Sequence, residues 1–286
     1  MPDTAAKDAR LRRLRAGDLA AAHALSIEVG WPHRLEDWDF VHRLGRGFAL
    51  TDAADALIGT ALCWPFGLRF ATLGMVIVSG RWQRRGLGER LLNAVLDEIG
   101  SRTTVLNGTP DGLCLYERAG FRALGIVRQY RGTVVPAGAS SEARGRIRPS
   151  EPRELEALIA LDEHASGMPR GDALTALFEH ARAAVLERDG EIAGFAGFRR
   201  FGRGHVVGPV VAADAEDARA LVRHWLQASI GLFVRIDVPT VEPASWAWLT
   251  EAGLAPAGEV TTMVRGTVPA RSSSARTFAL INQAMG

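Results

Sequence analysis

The second half of this chain repeats the order of the first, and this duplication constrains the fold more than any other feature. Pro110 lies ten residues before Gly120 in the segment YERAGF, and Pro243 lies ten residues before Gly253 in LTEAGL. In both halves a strand-like run follows and ends at an Arg-Gly pair. A repeated order of elements predicts two copies of one folding pattern in tandem.

The length and composition of the chain agree with two domains. Its 286 residues are enough for two units of roughly 130 to 145 residues, each of ordinary domain size. Apolar residues make up 47% and charged residues 23%, so each half can bury a core of its own. Residues 136–143 (PAGASSEA) are typical of a linker. We therefore predict domains at residues 1–136 and 144–286.

The charge and the cysteines exclude several classes of protein. The net charge is only +2 and the basic residues are spread over both halves, so no nucleic-acid partner is expected. No apolar stretch approaches the roughly 20 residues of a membrane span, and Asp3, Lys7 and Asp8 stand where a signal peptide would be apolar. Cys63 and Cys114 cannot form a disulfide framework, so we expect a cytoplasmic protein without a membrane partner.

Hydrophobic periodicity predicts strands and helices in alternation along the first half. The predicted strands are residues 11–14, 47–51, 56–66, 71–78, 103–106 and 121–135, and the predicted helices are residues 18–29, 35–44, 86–99 and 113–118. This order predicts an α/β fold of the α+β type, built on a mixed sheet.

One junction between a strand and a helix has the features of an anion site. The apolar strand 75–78 leads through residues 79–82 into residues 83–88 (QRRGLG), which begin a helix. Free backbone N–H groups and the positive end of the helix dipole meet at such a point, and glycines let a phosphate approach closely. The alternative is a purely structural turn. The pattern here is neither that of a Rossmann loop nor that of a Walker loop.

On these residues the chain resembles the GNAT superfamily of N-acetyltransferases, whose central motif is a strand ending in Val followed by Q/R-x-x-G-x-G/A at a helix start. Gly80 stands where many members have Pro. The resemblance implies that the loop binds the pyrophosphate of acetyl-CoA, while the strand bonds to the pantetheine amides as another strand would. The implied cofactor contacts are Val76, Ile77, Val78, Gln83, Arg84, Arg85, Gly86, Leu87, Gly88, Glu89 and Asn107.

Residues 115–121 (LYERAGF) match a second GNAT motif, a short helix carrying LYERxGF. The resemblance implies that Tyr116 lies near the thioester sulfur and acts as the general acid. A thiol has a pKa of about 8.5 and tyrosine one of about 10, so complete proton transfer to the departing thiolate costs only about 2 kcal/mol. The alternative is a half-buried tyrosine that serves packing.

The sequence offers no evident general base. The strand 71–78 carries no Glu, which some GNAT proteins have at this place. Proton removal then falls to water or to another segment, with Glu28, His33, Glu36 and Asp37 as candidates. Each of these four is explained more simply as a solvated surface group.

Residues 30–33 (GWPH) lie where GNAT proteins commonly form the acceptor pocket. We predict that Trp31 and His33 contact the acceptor, with Trp31 able to hold an amine by a cation–π contact. Trp31 and Trp38 could equally be core aromatics. No metal-ligand spacing occurs among the seven histidines, so no metal is predicted.

The second half lacks the residues of both motifs. Alignment without gaps puts Arg219 and Leu221 at the positions of the two loop glycines, and Leu249 at the position of Tyr116. We therefore predict a degenerate GNAT-like second domain that keeps the fold and binds no cofactor. Its role would be structural or to complete the acceptor site, in a monomer with pseudo-dimeric domains or in a homodimer.

The predicted function is transfer of an acetyl group from acetyl-CoA to a primary amine of a small molecule or an amino sugar, by direct attack on the thioester. The alternative is a non-catalytic module that binds acyl-CoA as a sensor or scaffold. The tyrosine favours the enzyme, whereas the lack of an evident base favours the alternative.

Overall fold

The elements of the first half follow the predicted order. The structure is a computed structural model that describes residues 8–138, 144–240, 246–271 and 273–286. The helices are α1 (Leu19–Glu28), α2 (Leu35–Leu44), α3 (Leu87–Ile99) and α4 (Leu113–Arg118). The strands are β1 (Arg10–Arg13), β2 (Arg46–Thr51), β3 (Leu57–Phe66), β4 (Phe70–Val78), β5 (Thr103–Gly108) and β6 (Arg122–Thr133).

The second half repeats this series and adds one strand. Its strands are β7 (Arg146–Pro149), β8 (Arg182–Arg188), β9 (Glu191–Phe201), β10 (Gly204–Ala212), β11 (Phe233–Thr240), β12 (Ala255–Arg265) and the additional β13 (Arg276–Ala279). Its helices are α5 (Leu155–Ser166), α6 (Gly171–Phe178), α7 (Ala215–Gln227) and α8 (Trp248–Glu251). Within the described ranges no helix is both long and apolar enough to cross a bilayer.

Helix α3 shows how the apolar pattern becomes packing. Its side chains Leu87, Leu91, Leu92, Val95 and Ile99 are each at most 1% exposed. A spacing of three and four residues puts them on one face of the helix, which packs on β2, β3 and β4. Burial of each such side chain contributes about 1.5–3 kcal/mol. The stripe therefore fixes the helix whose N-terminus carries the predicted anion loop.

The described strands form one sheet in the order β1-β2-β3-β4-β5-β12-β6-β11-β10-β9-β8-β7, and β13 pairs with β10. Two pairs, β4 with β5 and β10 with β11, are parallel. The predicted mixed sheet is therefore confirmed. Helix α7 packs on β8, β9 and β10 as α3 packs on its own three strands.

The two halves exchange their sixth strands at the centre of this sheet. β12 of the second half pairs with β5 of the first, and β6 of the first half pairs with β11 of the second. β6 and β12 also pair with each other. Each half therefore completes its sheet with a strand of the other half. Residues 139–143 of the expected linker lie outside the described residues, so the division at 136 and 144 stays a prediction.

The Arg-Gly pairs that end β6 and β12 mark close approaches of the chain. A Cβ atom on Gly132 would lie 2.0 Å from the carbonyl oxygen of Gly253. Gly266 has a φ of +103°, and a Cβ there would lie 2.7 Å from Thr103 Oγ1. Only glycine fits at either position, which gives this repeated feature a steric cause.

Candidate active site

The first half has a gap between two neighbouring strands of its sheet. β4 and β5 pair only over residues 70–73 and 103–106 and separate beyond them. The register of β3 on β4 shifts between Thr60 and Leu62, which is a β-bulge. Met75 lies opposite this shift with a φ of +53°, a conformation that is rare and strained for any residue except glycine. Parted strands of this kind can hold an extended ligand between them.

The helix that follows β4 begins without a side-chain cap. Gly86 is the N-cap residue of α3 with a φ of +78°, and the described residues provide no side-chain cap at this helix start. Arg84 also has a positive φ, of +59°. The uncapped N–H groups and the positive end of the helix dipole therefore remain available to an anion. Occupation of this site by the CoA pyrophosphate stays a prediction.

Glu28, one of the candidate bases, stabilises the entry to this loop. Its Oε1 accepts hydrogen bonds from Ser79 Oγ at 3.0 Å and from the backbone N–H of Gly80 at 2.7 Å. A proline at position 80 would lack that N–H group, so the departure from the GNAT motif has a structural use here. Gln83 Nε2 donates to the carbonyl oxygen of Val78 at 3.1 Å and closes the loop on the strand.

The other predicted cofactor contacts divide into core and surface residues. Ile77 and Leu87 are buried in the core, so only their backbone can face a ligand. Arg84, Arg85 and Glu89 are exposed around the helix start. Partly buried positions are Val76, Val78 and Gly88. This distribution fits a ligand held chiefly by backbone groups, with basic side chains at its edge.

Asn107 joins three segments instead of projecting a free carboxamide. Its Nδ2 donates to the carbonyl oxygen of Gln283 at 2.9 Å, and its Oδ1 accepts from Thr262 Oγ1 at 2.7 Å. The side chain therefore connects β5, β12 and the segment after β13. A cofactor contact at this position, if made, uses other atoms of the residue.

A cavity of about 280 Å³ lies where β4 and β5 separate. The predicted site residues that line it are Trp31, His33, Val76, Asn107 and Tyr116. The exchanged strand β6 and the second half contribute Gln129, Arg131, Phe201, Arg235, Glu259, Asn282, Gln283 and Ala284. The second half therefore forms part of the cavity wall, while its expected role in completing an acceptor site stays a prediction. Alternating polar residues on β6 and β11 were the available sequence signal for this wall.

The side chain of Tyr116 faces the cavity and is 8% exposed. Its hydroxyl forms no hydrogen bond with the described residues, and burial raises its pKa to about 12. Glycines make room for the ring, since a Cβ on Gly112 would lie 2.8 Å from Tyr116 Cε2 and one on Gly108 3.1 Å from the ring. Phe121 contacts the ring edge to face at 6.1 Å. A positioned and unused hydroxyl is available to a ligand.

His33 lies among aromatic rings on the opposite wall. Its ring makes edge contacts with Trp31 at 5.9 Å and Phe201 at 5.5 Å between centroids. Its Nδ1 is buried and has no hydrogen-bond partner in the described part of the chain. Burial, followed by the charge of Arg235, lowers its pKa to about 4. His33 is therefore neutral at pH 7 and a weak base.

The remaining candidates for the general base and for the acceptor pocket do not line the cavity. Asp37 accepts from the N–H groups of Arg34 and Gly202, both at 2.9 Å. Burial opposes its ionisation, yet the hydrogen bond from the Arg34 side chain, together with these backbone bonds, keeps the pKa of Asp37 below its usual value. Glu36 is exposed, whereas Trp38 is fully buried in the core. Among the aromatic candidates only Trp31 lines the cavity.

The strand–helix junction of the second half is much shorter than its counterpart. Only residues 213–214 separate β10 from α7, against residues 79–86 between β4 and α3. Arg219 and Leu221 therefore lie inside α7, and the alignment without gaps is wrong at these positions. Leu249 is fully buried in the core of the second half. The loop is absent through deletion, and the tyrosine is replaced by a packing residue.

Protein groups occupy both ligand-like positions of the second half. The carboxylate of Asp214 caps α7, where it accepts from the N–H groups of Glu216 at 3.0 Å and Asp217 at 3.1 Å. β10 and β11 pair only over residues 205–206 and 234–235, and β13 pairs with β10 beyond that point. β13 thus lies in the gap that corresponds to the open one in the first half.

The structure gives no indication of a metal site or a reactive thiol. Within the described residues no group of three or more His, Cys, Asp or Glu side chains is arranged to hold a metal ion. Cys63 is buried, and burial raises its pKa to about 12. Cys114 is exposed and does not line the cavity.

Comparison with known proteins relates both halves to one family. Residues 45–123 and 158–279 each match a family model of the acetyltransferase (GNAT) domain. YitH of Bacillus subtilis strain 168, an uncharacterized N-acetyltransferase, is 27% identical over 264 residues, covering 91% of this chain and 92% of that protein. A candidate acetyltransferase of Pyrococcus horikoshii matches with a TM-score of 0.80 at 18% identity, over 98% of this chain and 96% of that chain. A glucosamine N-acetyltransferase region of a fungal β-N-acetylglucosaminidase matches with a TM-score of 0.68 at 13% identity, over 90% of this chain and 38% of that chain.

Proposed function

This chain belongs to the GNAT superfamily as an N-acetyltransferase with two GNAT domains in tandem, and we propose that it transfers an acetyl group from acetyl-CoA to a primary amine of a small molecule. An amino sugar is one candidate acceptor, because the fungal neighbour is described as a glucosamine N-acetyltransferase. We further propose that the protein is a cytoplasmic monomer whose two halves are arranged like the subunits of a dimer. It would have no nucleic-acid or membrane partner. The small cavity, of about 280 Å³, favours a small acceptor.

The observation that carries this proposal is the continuity of three features in the first half. The uncapped N-terminus of α3 can bind phosphate, the gap between β4 and β5 can hold an extended pantetheine chain, and the cavity lies at the gap. An acyl-CoA has these same three parts in the same order. Acetyl-CoA would present its thioester to the cavity, where an amine can attack the carbonyl carbon directly.

Tyr116 is proposed to assist departure of the thiolate. With a pKa of about 12 for Tyr116 against about 8.5 for a thiol, complete proton transfer costs about 5 kcal/mol. This is more than the roughly 2 kcal/mol expected from an unperturbed tyrosine. A hydroxyl that keeps its proton and donates a strong hydrogen bond to the developing thiolate fits these values better than full proton transfer.

The proton of the attacking amine is proposed to leave through water. His33 is a weak base at a pKa of about 4, and Glu259 is engaged with Arg128 at 2.6 Å. The rate should therefore follow the fraction of acceptor present as free amine. We expect kcat/KM to rise with pH up to the pKa of the acceptor itself.

A thiol-release assay across a panel of amines tests the proposal. Purified full-length protein, acetyl-CoA and each amine are mixed, and free CoA is measured together with the N-acetyl product by mass spectrometry. We expect amine-dependent release with a matching amount of product. Calorimetric titration that detects no acetyl-CoA binding would overturn the proposal, as would binding with no product from any amine.

A further inference from the structure

Two arginines face each other on the wall that the exchanged strand brings to the cavity. Arg131 on β6 is in direct register with Arg235 on β11, so both side chains lie on one face of the sheet. Both line the cavity. Like charges placed opposite each other on a sheet are unfavourable unless each is neutralised. The neutralising groups therefore decide what this wall can bind.

Among the described residues, a protein carboxylate neutralises only one of these two arginines. Asp237 is fully buried, and its carboxylate accepts from Arg235 Nε at 2.9 Å and from Gln283 Nε2 at 3.0 Å. Glu259, an acid that does line the cavity, pairs with Arg128. The side chain of Arg131 forms no hydrogen bond and no ion pair with any residue that the structure describes. Within that part of the chain, the cavity wall therefore carries one positive charge without a counterion.

Nearby hydrogen-bond donors that lack acceptors add to this unbalanced positive charge. Asn282 is 4% exposed and lines the cavity, and its Nδ2 has no acceptor among the described residues. Arg199 packs on the same ring, Phe201, as Arg235, and its Nε has no acceptor in the described structure either. The pKa of Arg199 is lowered to about 10, chiefly by burial, with the charge of Asp37 opposing the shift and those of Arg34 and Arg235 adding to it. This part of the protein has more donors and positive charge than acceptors.

We propose that the acceptor is an amine that also carries an anionic group, a carboxylate or a phosphate, and that Arg131 binds this group. The inference rests on the proposed acetyl transfer and names the substrate class of the same site. The amine lies toward Tyr116 and the thioester, and the anion lies toward β6. A guanidinium suits both anions because it can donate two parallel hydrogen bonds to either. Arg131 is thus a specificity-determining residue.

Matched pairs of amines test this with the full chain. β-Alanine is compared with β-alaninamide for the carboxylate, and ethanolamine phosphate with ethanolamine for the phosphate, at equal concentrations of free amine. We expect kcat/KM to be at least about tenfold higher for the anionic member of one pair, the range of a charge-assisted hydrogen bond. The pair that shows the difference identifies the anion.

Three variants assign the effect to its residue. Arg131→Gln should remove the preference by raising KM for the anionic amine about 10- to 100-fold, with little change for the neutral one. Arg131→Lys should restore part of the preference. Arg122→Gln makes the same charge change at an exposed position of the same strand, outside the cavity lining, and should leave the preference intact.

The outcomes separate this inference from the proposed function. Equal kcat/KM within both pairs, or an equal loss for both members in Arg131→Gln, overturns the anion site while acetyl transfer stands. Calorimetric titration of the same amines into the CoA-saturated protein gives a second readout. If no amine releases thiol but the anionic member binds and Arg131→Gln abolishes that binding, the anion site stands and acetyl transfer fails.

Discussion

The two halves of the molecule use the same two positions in opposite ways. In the first half no described strand lies between β4 and β5 beyond their paired residues, and α3 has no side-chain cap. In the second half β13 lies in the corresponding gap and Asp214 caps the corresponding helix. One half presents a strand edge and a helix N-terminus to a ligand, whereas the other satisfies both with its own chain.

This difference shows what a binding domain needs when it loses its ligand. Unpaired backbone groups are costly in a folded protein unless a partner satisfies them. The second half places a strand and a carboxylate at the positions that correspond to those proposed for the pantetheine chain and the phosphates in the first half. Its fold can therefore persist without a cofactor, while the first half retains open groups that acetyl-CoA is proposed to fill.

The largest effect should come from separating the halves. A chain of residues 1–136 lacks β12, so β5 loses a neighbour and β6 loses both of its partners. We expect this fragment to aggregate and to lose measurable acetyl-CoA binding, because an unpaired central strand exposes backbone and apolar edges. Size-exclusion chromatography and calorimetry measure both.

Co-expression with residues 144–286 serves as the control for the fragment and should restore a soluble complex. A monomeric 1–136 fragment with full acetyl-CoA affinity would show that the strand exchange is dispensable to the first half.

The next largest effect should follow from Tyr116→Phe, which removes the hydroxyl that Leu249 lacks in the second half. We expect kcat to fall roughly 10- to 100-fold, the range of a hydrogen bond to a charged group. KM for acetyl-CoA should change little, because the lost bond is made mainly in the transition state. Steady-state kinetics with both substrates varied measures the split. Unchanged kcat would reduce Tyr116 to a packing residue.

A smaller effect is expected from Gly86→Glu, which gives the first half an acidic residue at the helix start, as Asp214 does in the second. A negative side chain on a backbone with a φ of +78° should lower acetyl-CoA affinity about tenfold or more. Gly100→Glu is the matched control, since Gly100 has a φ of +66° at the other end of the same helix. Calorimetric titration giving equal affinities for both variants would refute the loop assignment.

The smallest effect should come from Asp214→Ala, which uncaps the helix of the second half. We expect the free energy of unfolding to fall by about 1 kcal/mol, a typical value for an N-cap, with acetyl-CoA affinity unchanged. Chemical denaturation measures the stability. A change in acetyl-CoA affinity would contradict the division of roles between the halves.

The same variant has a defined pH dependence. Burial opposes ionisation of Asp214, but bonds from Asp217, Arg144 and Glu216 outweigh it, so its pKa is lowered in the folded state. A lowered pKa stabilises the folded protein above the unfolded value of about 3.9 and ceases to do so as pH falls through the folded value. The stability difference between wild type and Asp214→Ala should therefore narrow below about pH 4.

The helices and strands of the first half were predictable because their periodicity is local. The α3 stripe and the position of Gly86 could be deduced from spacing, whereas Tyr116 was identified through the resemblance of residues 115–121 to a GNAT motif. Trp31 and His33 line the cavity, as does Tyr116.

The general base was not predictable: Glu28 and Asp37 hold backbone segments in place, Glu36 is exposed outside the cavity lining, and His33 lines the cavity as a weak base. In a sequence, an acidic residue that caps a turn or holds a loop cannot be distinguished from one that acts as a general base.

The strand exchange could not be predicted because β6 and β12 occupy equivalent places in the two halves. Either strand would present a similar pattern to β5 or to β11, so periodicity does not distinguish the exchanged from the unexchanged arrangement. The four-residue β13 is too short to give a clear periodic signal. Because the strand exchange was not predicted, Arg235 and Gln283 of the second half were not expected to line a cavity at β4 and β5 of the first half.

The strand exchange has a consequence for how the protein is made. β5 ends at Gly108 but pairs with β12, which begins only at Ala255. β6 likewise pairs with β11, which comes later in the chain. At roughly 5–20 residues per second a ribosome needs on the order of 10 s to synthesise that interval. We therefore expect that the first half cannot complete its sheet as it emerges, and that β5 and β6 find their neighbours only after β11 and β12 have been synthesised.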